Sequence, residues 1–168
     1  GRGPRSAQAG IRGMGNPILT DDAVGVRLAR DLHRRFGDPP GVRWLEECSV
    51  GGLNLMDVLA GCDRALVFDS IRTRDALPGA WHRFTAGDLR ETMNLRNVHD
   101  ANFATALALG RLAGLRLPAD AEIHIFAVEI ADNLTFGERM TEGMEARYPA
   151  LLSKIGEEAA RILGVAGQ

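Results

Sequence analysis

The sequence predicts a three-layer α/β/α sandwich, and three observations carry that prediction. Segments with strand and helix periodicity alternate along the chain, which is the pattern of a sheet with helices on both faces. Ala65-Leu66-Val67-Phe68 is a continuous apolar run between Asp63-Arg64 and Asp69, as suits a parallel strand covered on both faces. The 168 residues suffice for one sizeable core, since domains of about 100–150 residues are the commonest. The composition, 45% hydrophobic and 25% charged, is that of an ordinary globular domain.

The elements follow in order. Residues 1–8 are polar and rich in Gly, Pro and Arg, and read as a disordered or added leader, leaving residues 9–168 as a single domain. The stretch AGIRGM, residues 9–14, makes a poor strand. Thr20-Asp21-Asp22 opens a helix, with carboxylates in the first turn, where the helix dipole favours negative charge. Val24, Leu28, Leu32 and Phe36 recur every fourth residue and form one apolar stripe. Gly37 and the run Asp38-Pro39-Pro40-Gly41 stop that helix.

Val42 to Cys48 is a second strand, and Gly51-Gly52 turns into a short helix, Leu53 to Ala60. Beyond the apolar run at 65–68, Pro78-Gly79 turns the chain into a strand from Ala80 to Phe84. Asn102 to Ala113 is apolar nearly all round, which predicts a buried helix. Glu122 to Ile130 forms the fifth strand. Tyr148, Leu152, Ile155, Ala159 and Ile162 share one face of a terminal helix near residues 149–163. Pro149 suits its first turn, where a missing N–H costs little.

Several function classes drop out at once. Twenty basic against 22 acidic residues, a net charge of −2, excludes a strongly basic nucleic-acid binder. Cys48 and Cys62 cannot build a disulfide framework. No apolar run reaches the ~18 residues needed to span a bilayer, and the opening segment lacks the apolar stretch of a secretory signal. A cytoplasmic protein without membrane insertion is the expectation. No GxSxG elbow or HExxH helix occurs, which weighs against serine hydrolases and zincins. A dinucleotide fold would need a third glycine at position 18, where Ile18 stands, so nucleotide binding is a lesser alternative.

In open α/β sheets ligands bind beyond the carboxyl ends of the strands, and three polar residues fall at such places. Asp22 follows the Gly13-Met14-Gly15-Asn16 loop, Asp69 ends the apolar run, and His99 precedes the buried helix with Asp100 as its N-cap. Two carboxylates and an imidazole suit zinc or nickel with positions left open, and equally suit acid–base work without metal. Each has a plainer reading as well: Asp22 as a helix-dipole carboxylate, Asp69 as a turn residue, His99 as a cap-region histidine. Of these, Asp69 is the hardest to dismiss, because an unpartnered buried carboxylate costs several kcal/mol. His33, beside Arg34 and Arg35, reads as solvated. His82 and His124 alternate with apolar residues and read as packed or hydrogen-bonded, and the cysteines as small core residues.

The stretch Gly13-Met14-Gly15-Asn16-Pro17-Ile18-Leu19-Thr20-Asp21-Asp22-Ala23-Val24-Gly25 resembles the GxGNxLxxD(D/E)xxG signature of the [NiFe]-hydrogenase maturation endopeptidases. Ala65 to Ser70 resembles that family's apolar strand ending in an acidic metal ligand, and Val98-His99-Asp100 its histidine segment. The resemblance runs over about residues 11–163. Asp22 stands where the family often has Glu, and Glu129 to Arg139 departs from its better-known members. The resemblance implies a twisted, mainly parallel five-stranded sheet. It also implies an endopeptidase that removes the C-terminal extension of a [NiFe]-hydrogenase large-subunit precursor after nickel insertion. Asp22, Asp69 and His99 would be its catalytic and metal-contacting residues, and the nickel would be presented by the precursor rather than held permanently. A non-catalytic nickel-sensing chaperone of hydrogenase assembly is the alternative use of the same rim.

Overall fold

The computed structural model describes residues 9–13, 23–45, 59–72, 77–91, 105, 107–131 and 140–165. They contain strands β1 (Ala9–Gly13), β2 (Val42–Leu45), β3 (Arg64–Ile71), β4 (Trp81–Thr85) and β5 (Ile123–Glu129). Three helices are bounded by Val24–Phe36 (α1), Ala86–Glu91 (α2) and Glu142–Leu163 (α3). The strands form one sheet in the order β2-β1-β3-β5-β4. β1 runs parallel to both β2 and β3, β3 runs parallel to β5, and β4 alone is antiparallel, against β5. The fold is therefore α/β with a mixed sheet.

The weak strand, described over Ala9–Gly13, lies inside this sheet. Ala9 pairs with Val42 on one side and Arg64 on the other. Two glycines in five residues give little intrinsic strand preference, but a backbone paired along both edges satisfies its polar groups whatever its side chains.

Alternation along β3 and β5 divides the core in two. Leu66, Phe68, Phe126 and Val128 pack with α1 and α3 on one face. Ala65, Val67, Ile123 and Ile125 pack with Leu59, Ala86 and Leu107 on the other. Residues 65–68 of β3 and 125–128 of β5 are thus apolar without interruption because both faces are covered. Val24, Leu28 and Leu32 of the α1 stripe are fully buried, and Phe36 packs at its end. Gly37 closes the helix at φ +70°, its N–H donating to the His33 carbonyl at 2.8 Å.

Four expectations do not carry over directly. First, the helix opening expected at Thr20-Asp21-Asp22 lies outside the described residues, among which α1 runs from Val24. Second, His33 is not simply solvated. It stacks on Trp44 with ring centroids 4.6 Å apart, and its Nε2 lies 2.7 Å from Asp38 Oδ1. The indole supplies an apolar face that solvent cannot.

Third, only one side of the helical residues 107–112 is buried: Leu107 joins the core, but Leu109 and Leu112 are 52% and 84% exposed. A helix lying on a sheet covers only the face turned toward it, so an all-round apolar pattern does not guarantee burial. Fourth, α3 starts at Glu142, which puts Pro149 in its interior. An interior proline forfeits one hydrogen bond and costs about 3 kcal/mol. Burial of Met144, Tyr148, Leu151, Ile155 and Ala159 along one stripe offsets that cost.

A polar clamp reinforces α3 just before the proline. Arg27 of α1 donates through Nη1 to both carboxylate oxygens of Glu145 at 2.9 Å, and its guanidinium lies 3.9 Å from the centre of the Tyr148 ring. The Tyr148 hydroxyl donates to Asp31 Oδ2 at 2.6 Å. Burial, and then the hydrogen bond to Asp31, raise the Tyr148 phenol well above its ordinary value. Above about pH 10 the unfolded chain loses this proton while the folded chain keeps it, so stability falls by about 1.4 kcal/mol per pH unit. Denaturant melts between pH 9 and 11 are expected to show this decline, and Tyr148→Phe to lack it. Tyr148 is the chain's only tyrosine, so phenolate absorbance reports it alone; an ordinary titration midpoint in the folded protein would contradict the account.

Candidate functional site

The carboxyl ends of β1, β3 and β5 point the same way, because these strands are parallel in adjacent pairs. Asp69 lies at this end. The apolar run does not stop there as expected: β3 continues through Ser70 and Ile71, which pair with Val128 and Glu129. The Ile130 N–H also donates to the Ile71 carbonyl at 2.9 Å. Continued pairing with β5 carries the strand past the acid. Asp69 is 8% exposed, and its Oδ1 accepts the Ser70 N–H at 2.8 Å. It follows Ala65 and Val67 at intervals of two, so it projects from the same face of the sheet as those residues.

Asp22 and His99 lie outside the described residues. Of the three candidates, Asp69 is the one whose surroundings are defined. Among the described residues, no group of three or more His, Cys, Asp or Glu side chains is arranged to hold a metal ion.

One acid went unnoticed in the sequence. Glu129 ends β5 as Asp69 nears the end of β3, and is only 2% exposed. It follows Ile123 and Ile125 at even spacing and so shares their face, which is also the face of Asp69. The signal was available, for Ile125-Phe126-Ala127-Val128-Glu129 repeats the pattern Ala65-Leu66-Val67-Phe68-Asp69. Glu129 was absorbed into a strand because nothing local separated it from one.

One partner of Glu129 comes from β4. His82 Nε2 lies 3.2 Å from Glu129 Oε1, and the histidine side chain is 53% exposed. Backbone bonds hold the two strands together here. The Glu129 N–H donates to the Ala80 carbonyl and the Gly79 N–H to the Glu129 carbonyl, both at 2.8 Å. Gly79 takes φ +93°, a conformation natural to glycine. Arg147 of α3 donates to the Pro78 carbonyl and braces the same turn.

The remaining candidates stay structural. His124 is mostly buried beside Arg83, and burial followed by that positive charge lowers its basicity and keeps it neutral. Cys62 is a buried core residue whose thiol is raised by burial, the environment of an inert cysteine. Among the described residues, no helix is long and apolar enough to cross a membrane.

Comparison with known proteins places this arrangement in context. A family model described as hydrogenase maturation protease matches residues 26–158. The chain is 38% identical over 61 residues to the hydrogenase expression/formation protein HupD of Bradyrhizobium diazoefficiens, covering 36% of this chain and 31% of that protein. It is 33% identical over 69 residues to the hydrogenase 2 maturation protease of Escherichia coli, covering 41% and 42%. The matched stretches thus span less than half the length of these two curated relatives. Among solved structures, the hydrogenase maturating endopeptidase HybD of Escherichia coli superposes with a TM-score of 0.76 at 25% identity, over 94% of both chains.

Proposed function

The chain belongs to the hydrogenase maturation protease family, and from that membership we propose that it is an endopeptidase acting on a [NiFe]-hydrogenase large-subunit precursor. It removes the precursor's C-terminal extension after nickel insertion, in the cytoplasm. Nickel arrives as part of the substrate, and Asp69, with Asp22 and His99, contacts it. The observation that carries this reading is a carboxylate 8% exposed near the carboxyl end of a central parallel strand. Strand carboxyl ends are where α/β sheets bind ligands. The finer reading of the fold, a three-layer sandwich about a twisted, mainly parallel five-stranded sheet, is supported by the two cores on opposite faces.

Two carboxylates and an imidazole offer oxygen and nitrogen donors that suit nickel. Nickel gripped between precursor and enzyme holds the extension in register with the cleft, and well-oriented positioning is worth about 7–11 kcal/mol of barrier. The same ion polarises the scissile carbonyl or lowers the pKa of a water. Asp69 is suited to its part because its carboxylate is anchored to the Ser70 N–H and does not have to be ordered when substrate binds.

The test is mass spectrometry of a nickel-loaded precursor incubated with the protein. Loss of a C-terminal peptide is the expected result, and it is expected to disappear with Asp22→Asn or His99→Ala while the fold survives. A precursor that is bound but left whole would support the nickel-sensing chaperone instead. Complete processing by the Asp22→Asn/Asp69→Asn double variant would remove the assigned site.

A further inference from the structure

We infer that the outer edge of β4 is a docking strip for an extended, uncharged segment of the precursor, which adds to the sheet as a further strand. The inference rests on the proposed endopeptidase function, and on backbone groups that the three residues assigned above do not use. β4 stands last in the order β2-β1-β3-β5-β4, so β5 pairs with only one of its two sides.

The ladder decides which groups face the open side. The Ala80 carbonyl accepts the Glu129 N–H, while Gly79 rather than Ala80 donates to the Glu129 carbonyl. Gly79 and Ala80 thus stand opposite one residue, a bulge with its glycine at φ +93°. Bonding toward β5 alternates from there, and falls on His82 opposite Ala127 and Phe84 opposite Ile125. Trp81, Arg83 and Thr85 therefore turn their N–H groups outward. Thr85 bears this out, since its N–H donates at 2.8 Å to Asp88 Oδ2 and not to β5.

Trp81 and Arg83 keep their outward groups open. Among the described residues, no backbone hydrogen bond joins either of them to a segment beyond β5. The bulge bounds this row at one end and the Asp88 contact at the other. Proteins shorten exposed edges to block uncontrolled pairing, and here a window of two outward residues is left. It presents two donors and two acceptors at a repeat of about 7 Å, which matches alternate residues of an extended peptide.

The flanking side chains set the chemistry of the guest. Trp81 lies on the strip with its ring 6.1 Å from Phe126, and Leu77, at the head of the turn into β4, is 72% exposed. Arg83 is already bonded to Glu158 Oε2 at 2.7 Å, so its charge calls for no acidic partner. Such neighbours favour apolar and β-branched residues across the strands. A second copy of this chain is the poorer guest. Two β4 edges would share only this short row, whereas stable interfaces bury about 800 Å² per partner. The precursor is held in the proposed reaction through its nickel as well, so the strip adds to a contact already made.

Steady-state cleavage of the nickel-loaded precursor tests this with two substitutions at one position. Arg83→Ala removes the side chain and keeps the outward N–H. Arg83→Pro removes the N–H too, and proline is tolerated on an edge strand at a residue whose N–H faces out. Arg83→Pro is expected to raise KM about tenfold over Arg83→Ala, the scale of one unmade hydrogen bond, with the change confined to KM. Amide hydrogen exchange of the unaltered protein, pulsed in excess nickel-loaded precursor, gives a second reading. The Trp81 and Arg83 N–H groups are expected to exchange about tenfold more slowly than in the free protein, with His82 and Phe84 slow in both. KM values within about twofold of each other for the two variants, or exchange at Trp81 and Arg83 unmoved by the precursor, would overturn the inference. So would sedimentation showing a dimer that Arg83→Pro splits while leaving KM alone. A parent that cuts the precursor without this protection would overturn this inference alone. A parent that leaves the precursor whole would overturn the endopeptidase reading and this inference with it.

Discussion

Asp69→Asn is expected to stop precursor cleavage, lowering the rate by about 10²–10³-fold, the scale on which one charged or polarising contact in a reaction centre acts. Asparagine keeps the shape and a carbonyl oxygen that can still accept the Ser70 N–H, now made at 2.8 Å to Asp69 Oδ1. What disappears is the negative charge offered to the metal-bearing substrate. The near-isosteric change is expected to leave the protein folded while cleavage is lost. Paired measurements of peptide release and thermal unfolding would show this separation. Parent-like cleavage by the variant would take Asp69 out of the reaction, and loss of both activity and fold would make it a structural residue.

Phe126→Ala is expected to destabilise the domain by about 3–5 kcal/mol, as large-to-small changes at fully packed aromatic sites do. Phe126 is completely buried on β5, with its ring 5.3 Å from Phe68 and 6.1 Å from Trp81. It joins β3, β5 and β4 to the helices α1 and α3. Net stabilities of domains are about 5–15 kcal/mol, so this one change consumes a large share of the margin. Urea unfolding should show the midpoint falling with little change in slope. A loss below about 1 kcal/mol would mean that the ring does not sit in a tight core.

Legibility in the sequence followed the range of the interactions. The α1 stripe was readable because helical contacts recur every three to four residues, and Val24, Leu28 and Leu32 are indeed fully buried. The apolar run at 65–68 was readable as a doubly covered strand, and its two faces do enter two cores. Pro149 misled because proline is a strong local signal for a helix start. The start of α3 seven residues earlier is held by Arg27 and by packing on α1, partners distant in sequence. The apolar helix at 102–113 misled for the opposite reason. Its pattern registers hydrophobicity but not how much covering surface the sheet provides, so Leu112 stays exposed.

Asp69 could be picked out because an acid closing an apolar run is chemically conspicuous on its own strand. Glu129 carried the same local mark, but one of its partners, the opposing His82, lies 47 residues away.

The sequence by itself determined that this is an α/β protein, and its Gly13–Gly25 motif with the Asp69 and His99 segments resembled one family, to which the chain belongs. These properties are written in local periodicity and in short ordered motifs. Only the tertiary structure decided that the glycine-rich β1 runs inside the sheet, that β4 turns antiparallel along β5, and that Asp69 and His82 face the same way across Ala127. Strand order and register are pairings between distant segments, and with side chains alternating every residue a slip of one position would send His82 to the opposite face. That information exists only once the strands are paired.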